Sequence, residues 1–351
     1  MVYTNGKKVL NACGADAVYA SCEYLLRYLT GFVAENGCVI VDQTGATLYT
    51  DKRYIEAAEK ILAGSDVKPV LYTQSEVLER LAGYEKVGIS FRETSHVEYL
   101  TLEKAGVKTV NIDGALNETM SVKESWELEK ISVACEIAEK AFLKLLPEIK
   151  EGAEEAELAA LLEYNMKMLG AQSTSFDTIV AFGAHASVPH YETGRTKLTF
   201  GDEILMDFGC KVDGYCSDIT RTFLFGDDGK HGEFKKAYDS VLTAHNLVKE
   251  KLCAGMTGKE ADAIAREYLQ AKGYGSLFTH SLGHGIGLNI HEFPSVSPKG
   301  TTALTNGMVF SDEPGVYLAG EYGIRIEDTV CLEKDKVKSF MSKTDRNLVI
   351  L

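Results

Sequence analysis

The chain carries no excess of basic residues: 37 lysines and arginines stand against 51 aspartates and glutamates, a net charge of −14 over 351 residues. That balance excludes sequence-independent nucleic-acid binding, which needs a basic footprint, and it disfavours an anionic membrane surface as partner. Long apolar runs are missing too. The best early one, Val39-Ile40-Val41, has only strand length, so neither a signal peptide nor a membrane helix is expected. The eight cysteines are scattered without CxxC spacing, and with no secretion signal they read as reduced thiols in a cytoplasmic setting. No glycine-rich phosphate loop opens the first strand-to-helix turn, which argues against a nucleotide site. Neither a solenoid-period repeat nor a low-complexity segment occurs.

What is present is ordinary globular composition, 45% hydrophobic and 25% charged, on a chain long enough for two domains. Up to about residue 120, short apolar runs alternate with helical patterns. Strands are expected at Gly37–Val41, Ala46–Tyr49, Pro69–Tyr72, Val87–Ser90 and Val107–Ile112, and helices at Ile55–Leu62, Glu76–Leu81 and His96–Lys104. This predicts a mixed or parallel sheet covered by helices. The segment Ser121–Leu146 then reads as a long amphipathic helix, so the boundary is placed at residues 1–120 and 121–351. Beyond it, helices at Glu154–Leu169, Glu233–Lys251 and Lys259–Ala271 separate strand-like blocks, including Thr178–Phe182, Glu203–Lys211, Tyr215–Phe225, Gly307–Asp312 and Gly323–Leu332. Helices and strands in long blocks favour an α+β fold over a doubly wound one.

Five residues of the second half share a chemistry: Asp207, Asp218, His284, Glu313 and Glu327. If they converge, their four carboxylates match the charge of two divalent cations, and without such cations a buried cluster would be very costly. Asp213-Gly214 is a strong two-residue hairpin signal. A turn there places Asp207 opposite Thr220 and Asp218 on the same face, one diagonal step away. Mid-strand aspartates are disfavoured by β propensity, and metal binding supplies a reason for two. Cys210 and Cys216 flank this hairpin but read as packing residues, because carboxylate-rich sites favour harder metals than thiolates do. Asp207-Phe208-Gly209 spells a kinase magnesium motif, yet no catalytic loop or strand lysine motif precedes it. Gly283-His284-Gly285-Ile286-Gly287 lacks the spacing and following helix of a phosphate loop; its glycines are expected to clear space for His284 to approach a metal. His280, His284 and His291 fall close together, and His190 is expected on a loop. Alternation in Gly323–Thr329 puts Arg325 and Glu327 on one face, which also fits a simple Arg–Glu pair on an exposed sheet.

In order, Asp207…Asp218 within the DFG…SDITRT hairpin, Ser281-Leu-Gly-His-Gly-Ile-Gly-Leu288, His291-Glu292-x-Pro294, Glu313-Pro-Gly-Val-Tyr317 and Gly323-Ile-Arg-Ile-Glu-Asp328 resemble the metallopeptidases of the pita-bread fold. Within them the chain looks closest to the Xaa-Pro aminopeptidase and prolidase branch, over residues 122–351, and Tyr28-Leu-Thr-Gly-Phe32 resembles that branch's N-terminal domain. The resemblance implies a pita-bread catalytic domain preceded by a smaller mixed α/β domain. It implies Asp207, Asp218, His284, Glu313 and Glu327 as ligands of two divalent ions, with Asp218 and Glu327 bridging. Manganese is the expected metal, with cobalt, zinc or iron as alternatives. The implied activity is hydrolysis of the N-terminal bond of peptides with proline second, by a hydroxide held between the ions. Glu313 would be the general base. His190 and His291 would contact the tetrahedral intermediate and substrate, Arg325 would assist in substrate binding, and His280 would support them. The branch also implies a homodimer. The alternatives are a prolidase restricted to dipeptides and a non-catalytic, peptidase-like binding module, the latter disfavoured because all five ligands are present.

Several positions depart from the pattern. Asp312 stands where the family usually has an uncharged residue, and alternation points it away from the metals. His185 replaces a frequent Asn. The short Val33-Ala-Glu-Asn-Gly37 segment lacks the histidine loop of dipeptide-specific prolidases, and Ser295 stands where many prolidases carry a carboxylate-binding Arg. The last two favour an aminopeptidase that accepts longer peptides.

Overall fold

The computed structural model describes residues 5–351; the reading of Met1–Thr4 as part of a leaderless N-terminus lies outside them. The chain divides into two compact units, Met1–Met120 and Ser121–Leu351.

The first unit runs α1 (Gly6–Cys13), β1 (Ala17–Ala20), α2 (Glu23–Thr30), β2 (Gly37–Asp42), β3 (Gly45–Thr50), α3 (Ile55–Ile61) and β4 (Val67–Leu71). It continues with α4 (Gln74–Ala82), β5 (Val87–Ile89), α5 (His96–Lys104) and β6 (Thr109–Asn111), and α6 (Asp113–Ser121) ends it. Its six strands form one sheet in the order β4-β3-β2-β1-β5-β6. The outer pairs are parallel and the β3-β2-β1 meander is antiparallel, so the expected mixed sheet is present. The sequence reading carries no expectation for the three elements before Gly37, α1, β1 and α2. Asp42, at the end of β2, ties the sheet to α4: it accepts hydrogen bonds from Thr44, Arg80 and Tyr84.

The second unit opens with α7 (Ser125–Leu145), whose first turn closes a capping box between Glu124 and Glu127. Then come α8 (Glu155–Met168), β7 (Ser173–Thr174), β8 (Ile179–Phe182), β9 (Glu203–Phe208), β10 (Cys210–Val212), β11 (Tyr215–Cys216) and β12 (Ile219–Leu224). Helices α9 (Gly232–Lys251) and α10 (Gly258–Ala271) precede β13 (Gly283–Gly285), β14 (Glu292–Val296) and β15 (Val309–Asp312). The chain ends with β16 (Gly315–Leu318), β17 (Tyr322–Arg325), β18 (Glu327–Glu333) and β19 (Lys336–Ser339). An antiparallel sheet runs β14-β13-β15-β18-β12-β9-β8, with β19 beside β18. Ala237, Val241, Ala244 and Val248 recur at helical spacing along α9 and join Phe310, Val330 and Leu332 of the sheet in one core. No helix among the described residues is long and apolar enough to cross a membrane.

Several expectations are corrected. Glu203–Lys211 breaks at Gly209 into β9 and β10, and Tyr215–Phe225 breaks at Ser217-Asp218 into β11 and β12, so that β10 and β11 form a separate three-stranded sheet with β7. Gly323–Leu332 is not one strand: it breaks at Ile326 into β17, which pairs with β16 in a two-stranded sheet, and β18, which enters the large sheet. The break lets Arg325 and Glu327 belong to different sheets. The glycines of Gly283–Gly287 also have a different purpose from the one expected. A Cβ on Gly283 would lie 1.9 Å from the Ser311 carbonyl oxygen, one on Gly285 2.3 Å from that of Phe293, and one on Gly287 2.3 Å from the Glu292 carboxylate. They admit neighbouring backbone and the Glu292 side chain, so that β13 fits between β14 and β15.

Candidate active site

The hairpin turn at Asp213-Gly214 forms, with positive φ at both residues (49° and 84°) as a type I′ turn requires. Its register carries through to Asp207 opposite Thr220, and Thr220 in turn faces Glu327 on the other neighbouring strand. Asp207, Thr220 and Glu327 therefore make one row across three adjacent strands, with their side chains on one face. Asp218 lies just before β12, and Thr329 fixes its backbone by exchanging hydrogen bonds with its N–H and C=O. His284 sits in β13 and Glu313 directly follows β15. The His284 Nε2 is 3.6 Å from an Asp218 oxygen and 3.4 Å from a Glu313 oxygen. Ligand atoms of Asp218, His284 and Glu327 all fall within 4.8 Å of one another. The five residues thus come to one place.

Around them the polar groups are tightly specified. Thr220 donates to Glu327 at 2.6 Å and accepts from Arg325 Nε at 3.0 Å, while Arg325 Nη2 donates to Asp207 at 2.5 Å. Arg325 is only 3% exposed, so the alternative of an Arg–Glu pair on an open sheet is overturned: its carboxylate partner is Asp207. Its Nη1 also donates to the Tyr317 hydroxyl, which lies 2.9 Å from His280 Nε2. Ser311 donates to Glu313 and accepts from the His284 N–H. The ring of His291 meets that of His284 edge-on at 4.1 Å between centroids. His190 is exposed on the loop after Pro189, whose carbonyl approaches Arg325 Nη1. Lys123, buried, pairs with Glu292 beside His291. Cys210 and Cys216 are buried away from the cluster, their thiols directed at the Ala134 and Leu288 carbonyls.

The donor set fits divalent cations. Oδ1 of Asp207 and Oε1 of Glu327 are sealed from solvent without a hydrogen bond among the described residues, and buried acceptors of this kind are rare unless something else satisfies them. Burial, then repulsion from Glu327 and Asp207, pushes the Asp218 carboxyl well above its ordinary range. Burial, then repulsion from Glu313 and Asp207, does the same to Glu327. Burial raises Glu313 to about 8 against the opposing pull of Arg325. The same burial, with His291 next to it, lowers His284 to about 3, which keeps the imidazole neutral as a ligand must be. Four carboxylates facing a single guanidinium want more positive charge, and oxygen donors with one imidazole suit a divalent cation without selecting one.

Residues 129–334 match the model of metallopeptidase family M24 and residues 5–119 that of the creatinase/prolidase N-terminal domain. The chain belongs to metallopeptidase family M24. It is 39% identical over 345 residues to an Xaa-Pro dipeptidase of Pyrococcus furiosus, covering 97% of each chain. Among solved structures, an Xaa-Pro dipeptidase from Bacillus anthracis superposes with a TM-score of 0.92 at 34% identity, covering 98% of both chains. An X-Pro aminopeptidase from Thermotoga maritima superposes with a TM-score of 0.89 at 33% identity, covering 98% of this chain and 99% of the other. The fold is therefore the pita-bread catalytic domain of an M24 peptidase preceded by a creatinase-type domain, and the protein is a metallo-exopeptidase.

Sequence reading misses the role of two groups of this M24 site, Tyr317 and Glu155, and half of the role of a third, Thr220. Tyr317 was noted only as part of a motif, although it joins His280 to Arg325. Thr220 was placed opposite Asp207 by the hairpin, but its second neighbour, Glu327, is more than 100 positions away and no local signal announces it. Glu155 is fully buried at the start of α8 and accepts from His185, Tyr191 and the Phe182 and Gly194 N–H groups. It pins the loop that carries His190, and in the sequence it resembles any first-turn glutamate.

Proposed function

We propose that the chain is an aminopeptidase that removes the first residue from peptides with proline in second position, using two divalent ions, manganese foremost, held by Asp207, Asp218, His284, Glu313 and Glu327. The observation that carries this reading is the approach of those five side chains to one another, two of them with a buried carboxylate oxygen that has no hydrogen bond among the described residues. Ions bound there supply Lewis acidity and activate water. The protein's own groups do the rest. Glu313, raised toward neutrality by burial, takes a proton from the attacking water and returns it to the leaving nitrogen. His291 and His190 donate hydrogen bonds to the carbonyl oxygen and substrate backbone, with His280 and Tyr317 behind them. Arg325 orients Asp207 and completes the substrate side. A bond to proline lacks the amide N–H that many peptidases grip, and this constellation asks for none.

Ser295 lies opposite His284 across the β13–β14 ladder, is exposed, and its hydroxyl bonds to that of Ser297. With a neutral, short side chain there, a dipeptide's carboxylate gains no ion pair from this position. The names of the Pyrococcus and Bacillus relatives favour the second reading, a strict prolidase. Comparing kcat/KM on an Xaa-Pro dipeptide and the corresponding Xaa-Pro-Yaa tripeptide decides: at least tenfold preference for the tripeptide is expected, and dipeptide-only cleavage overturns the aminopeptidase reading. Eight free cysteines support a reducing, cytoplasmic location, and a homodimer is the oligomeric state we propose.

A further inference from the structure

Behind the candidate site, on the opposite face of the sheet, lies a charge cluster that the proposed chemistry does not use. Asp312 and Asp328 are directly opposite each other on β15 and β18, and each is chain neighbour to a candidate ligand, Glu313 and Glu327. Both are fully buried. Two facing buried carboxylates would force these strands apart. His245 of α9, itself inaccessible, sits between them, with Nδ1 3.1 Å from Asp312 and Nε2 3.5 Å from Asp328. Because different ring nitrogens face the two carboxylates, the imidazole bridges them and leaves no common point for a metal. Among the described residues, the ring nitrogens and both Asp312 oxygens lack well-aligned hydrogen bonds, so opposite charge is the tie.

The two aspartates are not equally supported. Asp328 also receives Arg221, Arg346, Ser339 and, at 3.8 Å, Lys249. Arg221 additionally donates to the Glu327 carbonyl, so the β18 side is fixed several times over. Asp312 has no other ion pair among the described residues. Burial alone would lower the His245 pKa, but the Asp312 and Asp328 carboxylates reverse this and raise it to about 9.

We propose that His245 is a positioning residue for the metal centre: it clamps the backs of β15 and β18 together and so sets the spacing of Glu313 and Glu327 on the opposite face. This rests on the reading of those glutamates as ligands. The test is calorimetric titration of Mn2+ into metal-stripped full-length protein, with thermal unfolding of each metal-free form alongside. Wild type is expected to take two ions, and His245→Leu to bind them about 10–100-fold more weakly, the usual cost of losing an outer support. Removing the stranded charge as well, in H245L/D312N, is expected to return the affinity to within about threefold of wild type. If H245L does not fold, His245→Gln is read in its place. A lower melting temperature with unchanged Mn2+ affinity, or a double variant that binds no better than the single one, overturns the proposal. Absence of Mn2+ binding by wild type overturns the ligand reading itself, and this inference with it.

Discussion

Lys123→Met tests whether the loop carrying His291 is held by a buried charge. Lys123 Nζ pairs with Glu292, and the two side chains are 1% and 9% exposed. Glu292 also accepts from the Asn289 N–H and fills the space that a Cβ on Gly287 would need. Methionine fills the lysine's volume but leaves the carboxylate buried with no counter-charge. Breaking one side of such a pair costs about 3–5 kcal/mol, which for a unit of this size lowers the melting temperature by about 6–20 °C. The pair itself is close to neutral overall, because its attraction repays a large desolvation cost. Lys123→Met with Glu292→Gln is therefore expected to recover at least half of the loss. Both variants are measured by calorimetric unfolding, and the pair's coupling is read from a double-mutant cycle. His291 adjoins Glu292, so KM for an Xaa-Pro substrate should rise in the single variant and fall back in the double. A single-variant loss below about 1 kcal/mol, or a double variant no more stable than the single one, would refute this reasoning.

Gly283→Ala places a methyl 1.9 Å from the Ser311 carbonyl oxygen, and neither strand can yield without moving His284 or Glu313. A loss of more than about 2 kcal/mol, together with loss of activity, is expected in denaturant unfolding and turnover assays. Thr220→Val removes the hydroxyl shared by Glu327 and Arg325 and is expected to weaken metal affinity about 10–100-fold, read by competition with a chelating dye. In the first unit, burial works against the Asp42 charge. Hydrogen bonds from Thr44, Tyr84 and Arg80 outweigh it and hold the carboxyl well below its ordinary range. A depressed folded pKa adds stability above the unfolded value of about 3.9 and loses it as pH falls through the folded value. Asp42→Asn should therefore cost about 1.5–3 kcal/mol from pH 7 to about 5 in urea titrations, with the gap to wild type closing below about pH 4.

What was legible in the sequence follows the range of the forces involved. The amphipathic helices and the Asp213-Gly214 turn are local, so α7 to α10 and the Asp207–Thr220 register could be read directly. The direction of Asp312, away from Glu313, followed from alternation alone. Its partner did not, because His245 lies on a helix and nothing in its neighbours marks it as buried between two carboxylates. The same limit hid Arg325's pairing with Asp207: period-two reasoning assumed one strand, and the break at Ile326 answers to β16, an element short enough to leave no pattern. The glycines around His284 drew attention correctly, but their reason lies in strands that reach them from both sides. Motif order supplied the grouping of His284, Glu313 and Glu327 with the hairpin. Spacing could not have done so.

The central claim is that Asp207, Asp218, His284, Glu313 and Glu327 form a dinuclear centre. Anomalous diffraction at the manganese edge from Mn2+-loaded crystals tests it most directly. Two peaks enclosed by these five side chains, both lost in Asp218→Ala, are the expected result. Peaks elsewhere, or two peaks that persist in Asp218→Ala, would contradict it.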